Sequence, residues 1–160
     1  MERINSIFEN IDPDASHQDE IKDKAFDLID EFVAQHFEED FCELLISKIE
    51  PKTDLRKVAR TLDILVWSTP DNGKRLDKLT RNWLNSNDGN KIRAILFRKD
   101  WLPTHDWEEL SKNIIYKDTT LKPLIDYYTR ELDYWRRTGL RNLGLLEEAI
   151  KASMPNSFIN

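Results

Sequence analysis

The chain has 160 residues, of which 39% are hydrophobic and 34% charged, and its formal net charge is −6. A chain of this length buries enough apolar surface to fold without disulfides, and its four glycines and six prolines exclude a disordered or collagen-like polymer. The apolar runs are too short to cross a membrane, so we expect no membrane partner.

The cysteine content and the first residues together indicate a compartment. Cys42 is the single cysteine of the chain, which excludes an internal disulfide and any zinc site built from several cysteines. The first residues lack the basic start and apolar centre of a signal peptide. We therefore expect a cytoplasmic protein.

Charge is distributed unevenly along the chain. Residues 1–50 hold 15 acidic and 4 basic residues, a net charge of −11, whereas residues 51–160 hold 15 acidic and 20 basic residues, a net charge of +5. Such a division either steers charged partners or allows one part of the molecule to neutralise the other.

The apolar spacing in the first half predicts helices. Residues 1–15 are expected to form an N-terminal arm or short helix, ahead of a single helical domain over residues 16–160. Ser16 is placed to cap a long helix that continues to Ile49, with a bend or break near residues 36–40. Thr53 is expected to cap the next helix, and Thr69 with Pro70 to begin another.

The second half continues the helical pattern. Residues 91–103 fit a short helix or a buried strand, and any subdivision of the domain falls near residues 88–104. Thr104 is expected to cap the following helix. The clearest apolar stripe comprises Leu121, Leu124, Ile125, Tyr128, Leu132 and Trp135, and it ends before Gly139, with a final helix near residues 141–153. We predict an all-α domain, a compact bundle of six to eight short helices packed at varied angles.

A metal site is one candidate for chemistry. His36 and Asp40 lie one turn apart, so on a continuous helix both would face the same way and supply two metal ligands. A stable site needs a third ligand, and no spacing singles one out. We therefore expect no metal and no cofactor, and keep His36 and Asp40 as the alternative.

Arg98 and His105 suggest a catalytic alternative. Their separation resembles the arginine-to-histidine motif of HEPN-type helical ribonucleases, in which the histidine acts in acid–base chemistry on the ribose hydroxyl. Lys99 follows the arginine here, where that family usually has a polar residue, and Pro103 interrupts the segment. The resemblance implies a ribonuclease with Arg98 and His105 as its catalytic residues.

The stretch LDYWRRTGLRN, residues 132–142, combines aromatic and basic residues. Helical periodicity places Tyr128 and Trp135 on the buried stripe and leaves Tyr127 and Tyr134 to project elsewhere. Tyrosine and arginine are enriched in protein interfaces. We therefore expect an interface centred on Tyr127, Tyr134, Arg137 and Arg141. The alternatives are a nucleic-acid surface on the basic C-terminal two-thirds of the chain and an ordinary helix end.

Residues 53–90 resemble the later part of the effector-associated, death-fold-like helical adaptor domains of bacterial conflict systems. Trp67, Gly73, Leu76, Leu79 and the run Asn87–Asn90 stand in the order of that family's pattern, although Pro70 is inserted and Asp88 stands where proline is expected. The resemblance implies a non-catalytic adaptor that joins other helical domains.

These observations favour a non-enzymatic protein–protein interaction module, either an adaptor or an immunity-type inhibitor of a bacterial defence system. Glu38, Glu39 and Asp40 are expected to contact a basic partner. Nucleic-acid binding is the first alternative, and a HEPN-like ribonuclease is the second.

Overall fold

A computed structural model describes residues 2–14, 23–36, 38–103 and 106–154, and within these ranges the protein is entirely helical. It confirms the predicted all-α class of short helices and finds nine α-helices in the described part, against the six to eight expected. They are α1 Glu2–Glu9, α2 Asp23–Gln35, α3 Glu38–Ser47, α4 Leu55–Trp67, α5 Lys74–Leu84, α6 Gly89–Leu96, α7 Trp107–Lys117, α8 Lys122–Thr138 and α9 Leu143–Ser153, with a 3₁₀ turn at Thr119–Leu121. None of the described helices is long and apolar enough to span a lipid bilayer.

The N-terminal segment is a short helix that contributes to the core. Ile4 and Ile7 of α1, and Ile11 just after it, are buried in the same apolar cluster as residues of every later α-helix. Spacings of three and four residues bring these side chains to one side of the helix. This side faces α2 and α4.

The long helix expected across residues 16–49 is two helices. α2 ends at Gln35 and α3 begins at Glu38, while Phe32 and Phe41 bring the two together with ring centroids 4.7 Å apart. The break falls at the predicted bend. The expected cap at Ser16 lies outside the described residues.

Two predicted helix starts are wrong by one and four residues. Asp54 caps α4, because its carboxylate accepts the N–H of Arg56 at 3.0 Å, while the Thr53 hydroxyl accepts the N–H of Glu50. Helix α5 begins only after Gly73, whose φ of +79° and N–H bond to the Thr69 hydroxyl at 2.8 Å close a tight turn. In both turns, the threonine hydroxyl accepts a backbone N–H from the loop that precedes the helix and not one from the first turn of the helix. Thr104 lies outside the described residues.

Helix α4 is the centre of the bundle. Residues 58–65 are all buried, so this helix has no solvent face over two turns. It packs against α1, α2 and α6, and the helical form of α6 resolves the choice between helix and strand for this segment. Two charged residues of α4, Arg60 and Asp63, therefore lie inside the protein.

Helix α8 begins and ends as the sequence indicates. Pro123 stands in its first turn, and Gly139 ends it at a φ of +70°, with its N–H bonded to the Trp135 carbonyl at 2.8 Å. The chain then turns back, and Asn142 caps α9. The two helices pack along each other and form the surface described next.

Candidate functional site: the groove between α8 and α9

A groove of about 420 Å³ runs along the junction of α8 and α9. We refer to it as the α8–α9 groove, and its lining residues are Tyr127, Arg130, Glu131, Asp133, Tyr134, Arg137, Asn142 and Leu145. Two predicted interface residues, Tyr134 and Arg137, line its open side, and Tyr127 lies in its floor. Arg141, the fourth, lies beneath it, bonded to Tyr127 and Glu131.

The floor of the groove is a buried polar network. Glu131 is 3% exposed, and its Oε1 accepts the backbone N–H of Asn142 at 2.6 Å and Nε of Arg141 at 3.1 Å. Arg141 also donates to the Tyr127 hydroxyl at 3.4 Å. A buried carboxylate requires such partners, so this network locks the turn after α8 onto the helix.

Tyr127 and Arg141, which form the floor with Glu131, each keep one protonation state at neutral pH. Burial raises the pKa of Tyr127, so its phenol stays neutral at neutral pH. Burial alone would lower the pKa of Arg141, but its hydrogen bonds to Tyr127 and Glu131 raise it, so the guanidinium stays charged. The floor therefore holds a compensated ion pair.

Two arginines on the rim have no anionic partner among the described residues. The Nε atoms of Arg130 and Arg137 donate to the carbonyls of Asp126 and Asp133, one turn earlier, at 3.2 and 3.3 Å. Their terminal nitrogens bind no acceptor in the described part of the chain. Seven residues is two helical turns, so the two guanidinium groups stand on one side of α8, roughly 10 Å apart along its axis.

The neighbouring carboxylates do not compensate these arginines. Asp126 pairs with Lys122 at 2.6 Å, and Asp133 lies 3.8 Å from Arg136. Glu131 is already paired with Arg141. The rim of the groove therefore carries two guanidinium groups that form no ion pair within the described residues, beside the exposed carboxylate of Asp133.

Exposed apolar side chains lie beside these charges. Tyr134 is 36% exposed and Leu145 is also exposed within the groove, while Trp135 and Leu140 are exposed next to it at the end of α8. Aromatic and arginine side chains arranged in this way are typical of the centre of a protein interface.

The structure corrects two expectations about α8. Tyr127, expected to project away from the core, is 2% exposed, and Trp135, expected on the buried stripe, is 45% exposed. Helix α9 packs on the side of α8 that carries Tyr127, so that side is buried as well. Trp135 lies in the last turn of α8, where its side chain stays in contact with water.

Arg98 does not lie at a surface. It is 1% exposed, and its Nε donates to Asp63 of α4 at 2.8 Å. Arg98 is therefore an ion-pair partner of Asp63 in the core, and the catalytic alternative with His105 stays a prediction. His105 lies outside the described residues.

The expected metal ligands do not share a helix. His36 follows the end of α2 and its ring stacks on Phe32 with centroids 4.4 Å apart, whereas Asp40 belongs to α3. The premise of a continuous helix between them is therefore wrong, and the residues that the structure describes contain no group of three or more metal-ligating side chains. Asp40 is exposed, and the side chains of Glu38 and Glu39 lie outside the description.

A second cavity, of about 280 Å³, lies between residues 49–56, α6 and Met154. Its two arginines already have partners: Arg56 binds Asp54 at 2.8 Å and Asp14 at 2.9 Å, and Arg93 binds Asp118 at 2.7 Å. Both arginines of this cavity are thus paired within the molecule, in contrast to Arg130 and Arg137 of the α8–α9 groove.

Sequence reasoning did not identify Glu131 and Leu145 as groove residues. Glu131 appears as an ordinary helical acid, and its role depends on the turn that brings Asn142 and Arg141 to it. Arg130, in contrast, was predictable as part of a cationic–aromatic patch with Arg137, because a spacing of seven residues places both on one helix face.

Comparison with models of known protein families, with curated protein sequences and with solved structures found no match for this chain.

Proposed function

We propose that this chain is a non-enzymatic protein-interaction module, an adaptor or an immunity-type inhibitor, that binds a protein partner through the α8–α9 groove. The observation that carries the proposal is the rim: two guanidinium groups that form no ion pair within the described residues flank the exposed ring of Tyr134 and the side chain of Leu145. Such a rim favours an apolar anchor from the partner, flanked by acidic groups.

The floor supports a binding role more than a chemical one. Glu131, Arg141 and Tyr127 satisfy each other and the backbone of Asn142, so they provide a fixed shape. A preformed surface lowers the conformational entropy that is lost on binding. The groove thus offers shape and charge to a ligand.

Nucleic-acid binding remains the alternative, with a weaker basis. Bases would have to stack on exposed aromatic rings beside cations. The burial of Tyr127 removes one of the two tyrosines proposed for stacking, leaving Tyr134 beside Arg137. The exposed rings of Tyr134 and Trp135 lie beside the apolar side chains of Leu140 and Leu145, and this mixture favours a protein partner over a polynucleotide.

The test is affinity capture from a native extract with three forms of the tagged chain. They are the wild type, the groove variant Tyr134→Ala with Arg137→Glu, and the control variant Tyr116→Ala with Lys74→Glu, which alters an exposed tyrosine and an exposed lysine elsewhere. We expect one stoichiometric protein with the wild type and the control but not with the groove variant. Equal capture by all three would place the interface elsewhere and contradict the proposal.

A parallel titration with nucleic acid distinguishes nucleic-acid binding from protein binding. The groove would be assigned to nucleic acid by a single-stranded oligonucleotide with three properties. It would bind the wild type, lose affinity steeply with added salt and fail to bind the groove variant. We expect no binding even at low salt.

A further inference from the structure

We infer that the α8–α9 groove binds a row of acidic side chains on α2 of a second copy of this chain, so that the protein associates head to tail. The inference rests on the proposed function in one respect, because it uses the same groove as the docking surface. It adds the identity of the partner.

The acidic row comprises Asp27, Asp30 and Glu31. All three are exposed. Asp30 and Glu31 lie three and four residues after Asp27, so the three side chains project from one side of α2. None of them forms an ion pair or side-chain hydrogen bond within the described residues. Like charges one turn apart repel each other, and cations that approach the row relieve this repulsion.

Within the described residues, the row and the groove form no ion pair with each other in one molecule. Helix α2 packs on α1, α3 and α4, whereas α8 packs on α7 and α9. One ion pair that joins residues 1–50 to the rest of the chain links Asp14 to Arg56. Within the described residues, the acidic row on α2 and the two rim arginines therefore remain as two separate sets of charges that form no ion pair with each other.

Complementary charge selects the second copy as the occupant. Arg130 and Arg137 stand at the rim without acidic partners, and the α2 row presents acids without basic partners. Because the two surfaces differ, the contact is heterologous, so a dimer retains one free groove and one free row that can bind further copies. Such contacts produce a ring when the rotation closes and an open chain when it does not.

Charge pairs on exposed surfaces are screened by salt. We expect weak association that increases with protein concentration at low ionic strength and decreases by about tenfold or more in high salt. Sedimentation velocity over a concentration series measures this.

Two neutralising variants test which surfaces take part. The rim variant is Arg130→Gln with Arg137→Gln, and the row variant is Asp27→Asn with Asp30→Asn and Glu31→Gln. Each is expected to sediment as a monomer, with circular dichroism and thermal unfolding like those of the wild type. The control Lys74→Gln with Lys78→Gln removes two exposed charges from α5 and is expected to associate like the wild type.

Mixing the two variants gives the decisive result. The rim variant keeps an intact acidic row, and the row variant keeps an intact groove. One interface can therefore form between them. We expect a 1:1 dimer that does not grow with concentration, although neither variant associates alone.

A mixture that remains monomeric, or single variants that associate as well as the wild type, would overturn the inference. A monomeric wild type would do the same. In those cases the affinity capture decides separately on the proposed function, because a foreign protein that requires Tyr134 and Arg137 would still establish the groove as an interface.

Discussion

Asp63 and Arg98 form an ion pair inside the protein. Nε of Arg98 donates to Oδ1 of Asp63 at 2.8 Å, and the other carboxylate oxygen accepts the backbone N–H of Lys99 at 3.0 Å. Nη1 of Arg60 stands 3.5 Å from the same carboxylate. Asp63 thereby connects the central helix α4 to the residues that follow α6, and its carboxylate lies beside two buried guanidinium groups at once.

Asp63→Ala is expected to destabilise the protein by about 3–5 kcal/mol, because the buried charge of Arg98 loses its partner. Denaturant unfolding followed by circular dichroism measures the change. The control Lys122→Ala, which removes an exposed ion pair with Asp126, should leave the midpoint nearly unchanged.

A double variant, Asp63→Leu with Arg98→Met, separates charge from packing. Replacing both charges with apolar groups of similar volume should recover most of the lost stability. A double variant as unstable as Asp63→Ala would show that packing, and not the unpaired charge, causes the loss.

Tyr128→Phe is expected to cost about 1–2 kcal/mol. The Tyr128 hydroxyl lies 2.8 Å from the carbonyl of Leu96 and 3.0 Å from that of Arg98, and its removal takes away the one O–H that these two buried acceptors share. Thermal and denaturant unfolding at neutral pH provide the measurement. An unchanged unfolding free energy would show that neither carbonyl depends on this hydroxyl.

The same tyrosine predicts a loss of stability at high pH. Burial raises the pKa of Tyr128 well above the ordinary 10.0, so above pH 10 the unfolded chain releases this proton more easily than the folded one. Its contribution is complete below pH 10 and is lost as the pH rises towards the folded pKa. The unfolding free energy should therefore fall less steeply with pH above 10 in Tyr128→Phe than in the wild type.

Asp118→Asn is expected to reduce stability by about 1 kcal/mol at neutral pH. Asp118 accepts the N–H of Thr120 at 3.0 Å and binds Arg93 at 2.7 Å. Burial alone would raise its pKa, but the hydrogen bonds from Thr120 and the charge of Arg93 lower it below the ordinary 3.8. This contribution is present above pH 3.8 and is lost as the pH falls through the folded pKa. The stabilities of the wild type and the variant should converge in acid, and parallel curves would contradict the assignment.

Two glycines should respond to alanine in opposite directions. Gly139 has a φ of +70°, so Gly139→Ala is expected to cost about 1 kcal/mol even though no atom lies within 4 Å of the added methyl group. Gly144 lies in the first turn of α9, where a methyl group would meet only Asn142 at 3.7 Å, so Gly144→Ala should stabilise by about 0.5 kcal/mol. Equal effects on the melting temperature would contradict this explanation.

Apolar periodicity predicted most helices, including the stripe of α8 from Leu121 to Leu132 and its end at Gly139. Helix starts were less predictable, because Thr53 and Thr69 have the chemistry of caps but bond to the loops before their helices. A hydroxyl at a helix start can satisfy either the helix or the preceding turn, and the choice depends on how the chain arrives there.

The sequence by itself determined the helical class, the break near residue 36 and the division into an acidic third and a basic remainder, because local spacing and composition carry these properties. Only the tertiary structure decided which charged side chains are paired inside the fold. Arg98 lies in the core beside Asp63, 35 residues away in sequence, and Glu131 is paired by the turn after its own helix, whereas Arg130 and Arg137 form no ion pair with the part of the chain that the structure describes. Periodicity shows which side of a helix is apolar, but the neighbouring helix that covers a side chain depends on packing between segments distant in the sequence.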